Sequence, residues 1–117
     1  MPVRHAREVP EEPVGAGEGA SRFVLIGADE GPNFAMRKFV IRAGGHMPLH
    51  TNTVEHEQYV LAGRADVRIG DDVHHVEPGS VVLIPAGVPH DYRVVGDDDF
   101  AFLCMVPNAE DRIEMVE

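Results

Sequence analysis

Cysteine, lysine and serine are scarce in this sequence of 117 residues: Cys104 is the one thiol, Lys38 the one lysine, and Ser21 and Ser80 the only serines. A single cysteine excludes an internal disulfide framework and any zinc module built on two or more thiolates, and it suits a reducing compartment such as the cytoplasm. Lys38 stands outside any G-x-x-x-x-G-K-[ST] loop, so neither phosphate cradling nor Schiff-base chemistry is expected. Neither serine sits in a G-x-S-x-G elbow, which argues against serine hydrolysis. No run of about 18 apolar residues occurs, and the first residues are rich in Pro, Gly and Glu instead of basic then apolar; a membrane span and a secretory signal are not expected. Basic residues are few as well. Ten Lys and Arg against twenty Asp and Glu give a formal charge of -10, so a phosphate backbone would be repelled over most of the surface and nucleic acid is not an expected partner.

What is present is enough apolar material for one core, 44% of the residues, in a chain too short to divide into two. Residues 1–20 carry Pro, Gly and charge without an apolar period and read as a flexible N-terminal arm. From Arg22 onward, short apolar stretches recur at intervals of about eight to twelve positions between turn residues, the pattern of an all-β sandwich or barrel. They are Phe23 to Ile26, Phe34 to Ile41, Gln58 to Leu61, Ala65 to Ile69, Val73 to Val76, Val81 to Ile84, Tyr92 to Val95 and Phe100 to Val106. Residues Arg64 to Ile69 alternate strictly in polarity, and Gly70-Asp71-Asp72 is turn chemistry leading into a returning strand, so a hairpin is expected there. Gly44-Gly45 and Pro85 to Pro89 read as breaks between strands. The domain is therefore placed at 21–107, with 108–117 a tail that forms a short helix or a trailing strand.

Seven histidines in so short a chain call for an account, because imidazole is both a metal ligand and a proton carrier near neutral pH. On an extended backbone His50 and Asn52 share a face, as do His56, Gln58 and Val60, and His90 and Tyr92. The chain reads Gly44, five residues, His50-x-Asn52, three residues, His56, six residues, Gly63; then Gly79, five residues, Pro85-x-Gly87, two residues, His90, three residues, Val94. Both spacings resemble the two motifs of the cupin superfamily, over about residues 35–106. Asn52 stands where that family has the second histidine of H-x-H, His56 where it has a glutamate, and Val94 where it has an asparagine. A branch of small cupins carries E-H-E at this point, as in Glu55-His56-Glu57, and uses the histidine as ligand.

The resemblance implies an antiparallel double-stranded β-helix, a jelly-roll barrel of six to eight strands. It also implies a divalent transition metal (Fe, Mn, Ni, Cu or Zn) held by His50, His56 and His90, with Asn52 either a weak ligand or a pocket donor. An open position on such a metal suits chemistry on a small organic substrate, oxygenase-type above all, or capture of a small ligand by a non-catalytic module. Gln58 and Tyr92, on the ligand faces of their strands, are the candidate catalytic side chains beside it; each reads equally as packing. Glu57 and Tyr59 have the opposite parity and are expected outside, unless a one-residue bulge turns Glu57 inward as the ligand. His46 reads as a loop residue or as lining the pocket mouth, and His5, His74 and His75 as surface residues. Cys104 reads as a small buried hydrophobe or, if inward with Phe102 and Val106, as a residue that approaches the metal. Small cupins often pair as dimers through an added N-terminal strand, for which Phe23 to Ile26 and the arm are candidates.

Overall fold

A computed structural model describes residues 3–116; Met1, Pro2 and Glu117, the outermost positions of the expected arm and tail, lie outside the described residues. The strands in chain order are β1 (Glu12–Pro13), β2 (Glu18–Ile26), β3 (Phe34–Asn52), β4 (His56–Ala62), β5 (Arg64–Ile69), β6 (Asp72–Val76), β7 (Val81–Ile84), β8 (His90–Val95), β9 (Phe100–Pro107) and β10 (Ile113–Met115). Strands β2 to β9 correspond to the eight apolar stretches of the sequence. The further two, β1 and β10, are pairings too short to carry an alternating pattern. All pairings are antiparallel, in the order β6-β5-β8-β3-β9-β4-β7, with β2 and β10 joined to β3 and β1 to β2. Curled on itself, this sheet is an antiparallel double-stranded β-helix, the jelly-roll barrel expected from the sequence. No helix of the described residues is long and apolar enough to cross a membrane.

The 19-residue β3 serves both halves of the barrel. Its first part, Phe34 to Ile41, lies between β2 and β9, and its last part pairs with β8 and β10. The sequence suggested a break at Gly44-Gly45; the strand instead continues through a bulge, in which Arg42 to Gly45 stand opposite Gly19 alone. Gly44 takes φ +80 there, a conformation cheap only for glycine. A second, one-residue bulge lies between Met47 and His50, which face Tyr92 and His90 respectively. It shifts the parity of β3, so that Met47 and His50 are both buried while His46 is exposed. At Gly63, between β4 and β5, a Cβ would lie 2.3 Å from the Asp99 carbonyl oxygen, so the chain can turn there only without a side chain.

Alternation places the core. Along β4 the buried side chains are His56, Gln58 and Val60, and along β8 His90, Tyr92 and Val94. Each strand thus runs from a polar to an apolar end of the barrel interior. The apolar end holds Ile41, Val60, Ala65, Phe100 and Phe102. Phe102 stacks on Phe39 and on Tyr92, with ring centroids 5.4 and 5.3 Å apart, offset contacts that add to burial.

Described residues near both ends lie against the barrel. Glu12 and Pro13 pair with Arg22 and Ser21, and Arg4 donates to the Leu25 carbonyl at 2.8 Å. Residues Phe23 and Val24 pair with Lys38 and Arg37 of their own chain. The tail forms the trailing strand, not the helix: Ile113, Glu114 and Met115 pair with Asn52, Thr51 and His50, because the last turn of β3 has an open edge at the polar end of the barrel.

Candidate functional site

The two bulges and the turns bring the motif residues together. His50 and His90 are direct cross-strand partners, with ring centroids 4.2 Å apart, and the His56 ring lies 6.3 Å from that of His90. The backbone N–H of Gly87, in the Pro85-x-Gly87 loop, donates to the Asn52 carbonyl at 2.8 Å, which fastens the second motif to the first. His50, Asn52, His56, Gln58 and His90 are all 1–6% exposed. Tyr92 joins them at 4%, accepting at its hydroxyl from Gln58 Nε2 at 2.6 Å and meeting the His90 ring edge-on at 5.9 Å. Glu57 and Tyr59 point outward, and no register shift interrupts β4 across them.

The remaining histidines are peripheral. His46, His74 and His75 are exposed, His75 beside Asp66. His5 is exposed too, and its Nδ1 accepts from the Arg7 N–H at 3.1 Å, capping a short turn.

Two of the three site imidazoles are fixed in one tautomer. His50 Nδ1 lies 2.7 Å from the Pro48 carbonyl and His90 Nδ1 lies 3.0 Å from the Val88 carbonyl. A carbonyl oxygen can only accept, so both Nδ1 atoms carry the proton and both Nε2 atoms offer a lone pair. His56 is held the other way. Its Nε2 lies 3.1 Å from Asp111 Oδ2 and its Nδ1 lies 3.4 Å from Cys104 Sγ, so Nε2 donates to the carboxylate while Nδ1 faces the thiol.

Burial keeps the ring charges off. His90 is pushed down to about 4, chiefly by burial and further by the neighbouring His50 and His56, against the pull of the Val88 carbonyl. His56 is lowered by burial and by the Arg37 guanidinium, with Asp111 opposing. The phenol of Tyr92 and the thiol of Cys104 are both pushed up by burial, so each keeps its proton. His56 and His90 are thereby held neutral beside a protonated phenol.

Three participants are not in the motifs. Cys104 is an interior neighbour of His56 and not only a packing residue, because it shares inward parity on β9 with Phe102 and Val106. Arg37 lies on the inward face of β3 with Ala35, Phe39 and Ile41, and donates from Nη2 to Cys104 Sγ at 3.5 Å. Asp111 comes from the tail, which Thr53 holds by accepting from Arg112 N at 2.8 Å and donating to the Glu110 carbonyl at 2.8 Å. The spacing of β3 does not single out Arg37, since Lys38 stands on the other face; nothing in residues 108–112 hints at Asp111.

The donor set fits a late first-row metal in kind: three imidazoles, two of them with Nδ1 anchored on carbonyls, the usual support for ligands binding through Nε2. The Asn52 side-chain oxygen fits as well, being a buried acceptor with no hydrogen-bond partner. Among the described residues, no three His, Cys, Asp or Glu side chains are already arranged to hold an ion, which agrees with His56 being committed to Asp111 through its Nε2 proton.

The chain is similar over its whole length to the polyketide cyclase RemF from Streptomyces resistomycificus: 27% identity, TM-score 0.91, with 86% of that chain covered. A cupin-2 domain from Rhodospirillum rubrum superposes with TM-score 0.80 at 28% identity, covering 93% of this chain and 73% of that one. In sequence, 75 residues, 64% of this chain, are 37% identical to the 1-methylthio-D-xylulose 5-phosphate methylsulfurylase of Rhodospirillum rubrum. The chain spans about half the length of that relative, 47%. Residues 37–106 match the Cupin domain family, and with both motifs folded into one barrel interior the chain belongs to that family.

Proposed function

We propose that this chain is a metal-dependent enzyme acting on a small organic molecule at the polar end of its barrel. One observation carries the reading: the buried polar side chains, His50, Asn52, His56, Gln58 and His90, form a single cluster. Burying a polar group without a partner costs about 1–3 kcal/mol, so a merely structural core would not gather five polar side chains and leave the amide oxygen of one of them, Asn52, unsatisfied. His50, His56 and His90 would hold the metal, with Asn52 Oδ1 joining or adjoining them, and a divalent transition ion there supplies Lewis acidity or redox capacity. His50 and His90 present their lone pairs ready oriented; His56 must give up the Nε2 proton, for which Asp111 is the nearby acceptor. Tyr92 keeps its phenolic proton and holds Gln58 in place, so the pair can donate to a substrate oxygen. The aromatic end of the barrel keeps water from behind the site.

Oxidative chemistry is the form of this reading that a histidine-rich set favours; the likeness to a polyketide cyclase supports a second, oxygen-independent form. Loading the protein with iron or copper and following oxygen uptake with small acids, diketones and aromatic substrates separates them. Oxygen consumed with turnover supports the first, turnover without oxygen the second, and no turnover with any metal counts against both. The rival is a non-catalytic module that captures a ligand or uses metal for stability, and Asn52 in a histidine's place favours it. His90→Ala decides: lost turnover with an intact fold supports an enzyme, whereas lost thermal stability with no activity supports a structural metal.

The same reading takes the working form to be a homodimer. On the outer face of β4 and β7, Tyr59 is paired with Val81 and Glu57 with Leu83, and Tyr59, Leu61, Val81 and Leu83 are 45, 42, 79 and 55% exposed. A contiguous apolar patch of that kind suits a second copy.

A further inference from the structure

Among the described residues Arg37 is the one guanidinium on the barrel's inward face, and its bonding is incomplete. Its Nε is buried with no hydrogen-bond partner. Its Nη2 reaches only Cys104 Sγ, at 3.5 Å, and a thiol is a weak acceptor. Among the described residues the other half-buried arginines, Arg4 and Arg22, pair with Glu30 and Glu12, but no carboxylate lies within pairing distance of Arg37. In a chain of charge -10 a half-buried arginine without an anion is the exception that asks for a ligand.

The two underused donors are neighbours. Nε–H and Nη2–H lie on one edge of the guanidinium and point in parallel, the fork that takes both oxygens of a carboxylate or two of a phosphate. The plane of the group is braced by Phe39, whose ring centroid lies 5.0 Å from the Arg37 Cζ. On the other side a single sulfur separates the guanidinium from His56, since Cys104 Sγ is 3.4 Å from His56 Nδ1. Cross-strand register makes this a row: Arg37 faces Cys104, and Cys104 faces Gln58, whose amide holds Tyr92.

We propose that Arg37 is the receptor for an anionic group, carboxylate or phosphate, on the molecule this site takes, so that the ligand is a small organic anion whose charged end is held by the guanidinium. Only the place of its other end rests on the metal-site reading; the anion subsite does not. Lysine would keep the charge and lose the fork.

The test uses full-length protein labelled with nitrogen-15, following the Arg37 Nε–H resonance, assigned by its loss in Arg37→Lys. Benzoate, inorganic phosphate and neutral benzamide are added in turn to the metal-free protein, and benzoate also to the metal-loaded protein. A saturable shift with benzoate or phosphate and none with benzamide is the expected result. A response to benzoate alone assigns a carboxylate, to phosphate alone a phosphate ester. By calorimetry Arg37→Met weakens anion binding by roughly tenfold to a hundredfold, the usual loss for a hydrogen bond to a charged group. No shift with either anion, or equal binding by Arg37→Met and the parent chain, overturns the proposal. Should Arg37→Met fail to fold, the resonance shift and the Arg37→Lys affinity decide alone. Anion binding by a protein that takes up no metal would refute the metal site and leave this subsite standing.

Discussion

Nε2 of His56 and Oδ2 of Asp111 stand 3.1 Å apart across 55 positions of sequence, joining the middle of the first motif to the tail. The tail in turn pairs with the stretch of β3 that carries His50 and Asn52. Asp111 thus restrains the one site imidazole held in a different tautomer from its neighbours.

Replacing Asp111 by Asn removes the charge from a half-buried contact. The metal-free protein should lose about 1 kcal/mol of stability, the usual net value of such a bond, seen as a lower midpoint in chemical denaturation. An unchanged midpoint would mean that the contact contributes nothing in solution.

Acid should destabilise the metal-free protein through the buried imidazoles. The pKa of His90 falls from 6.5 unfolded to about 4 folded, and that of His56 is also lowered. Between those values the unfolded chain binds more protons, so stability present above pH 6.5 is lost as pH falls toward about 4. His90→Asn should flatten the fall measured by denaturation midpoints across that window; an equally steep fall would contradict the burial account.

Tyr92→Phe should keep the fold and cost about 1–3 kcal/mol, because Gln58 Nε2 loses its acceptor at 2.6 Å and retains only the Cys104 sulfur at 3.9 Å. Thermal melts read this directly. A variant as stable as the parent would show that Gln58 finds another acceptor.

Two charges on the outer apolar face should separate the copies. Val81→Glu with Leu83→Glu places carboxylates where those side chains are 79 and 55% exposed, so the fold should persist while the mass by light scattering falls from dimer to monomer. A parent chain that is already monomeric would end the dimer proposal.

How far the sequence revealed this site follows from parity. On β4 the two faces differ sharply, His56, Gln58 and Val60 against Glu57, Tyr59 and Leu61, so the inward set was legible. On β3 they do not: Phe34, Met36, Lys38 and Val40 alternate with Ala35, Arg37, Phe39 and Ile41, one cation on each face, so nothing marked Arg37 as the interior one. The bulge between Met47 and His50 similarly breaks the count from His46, which a regular strand would turn toward the site. Asp111 acts through a tail with no alternation, placed by pairing with β3, a contact that spacing along the chain does not encode. Eight strands, both motifs and the buried polar set were readable because each rests on local alternation or fixed spacing; the rest depends on contacts between distant segments.

The most direct test of the metal reading is diffraction from crystals of the metal-loaded protein, with anomalous scattering recorded at the absorption edge of the bound element. The account predicts one strong peak bonded to His50, His56 and His90 at about 2.0–2.1 Å from each ligating nitrogen, the distance of a zinc–imidazole bond. A peak only at the surface pair His74 and His75, or none inside the barrel at full metal loading, would contradict it.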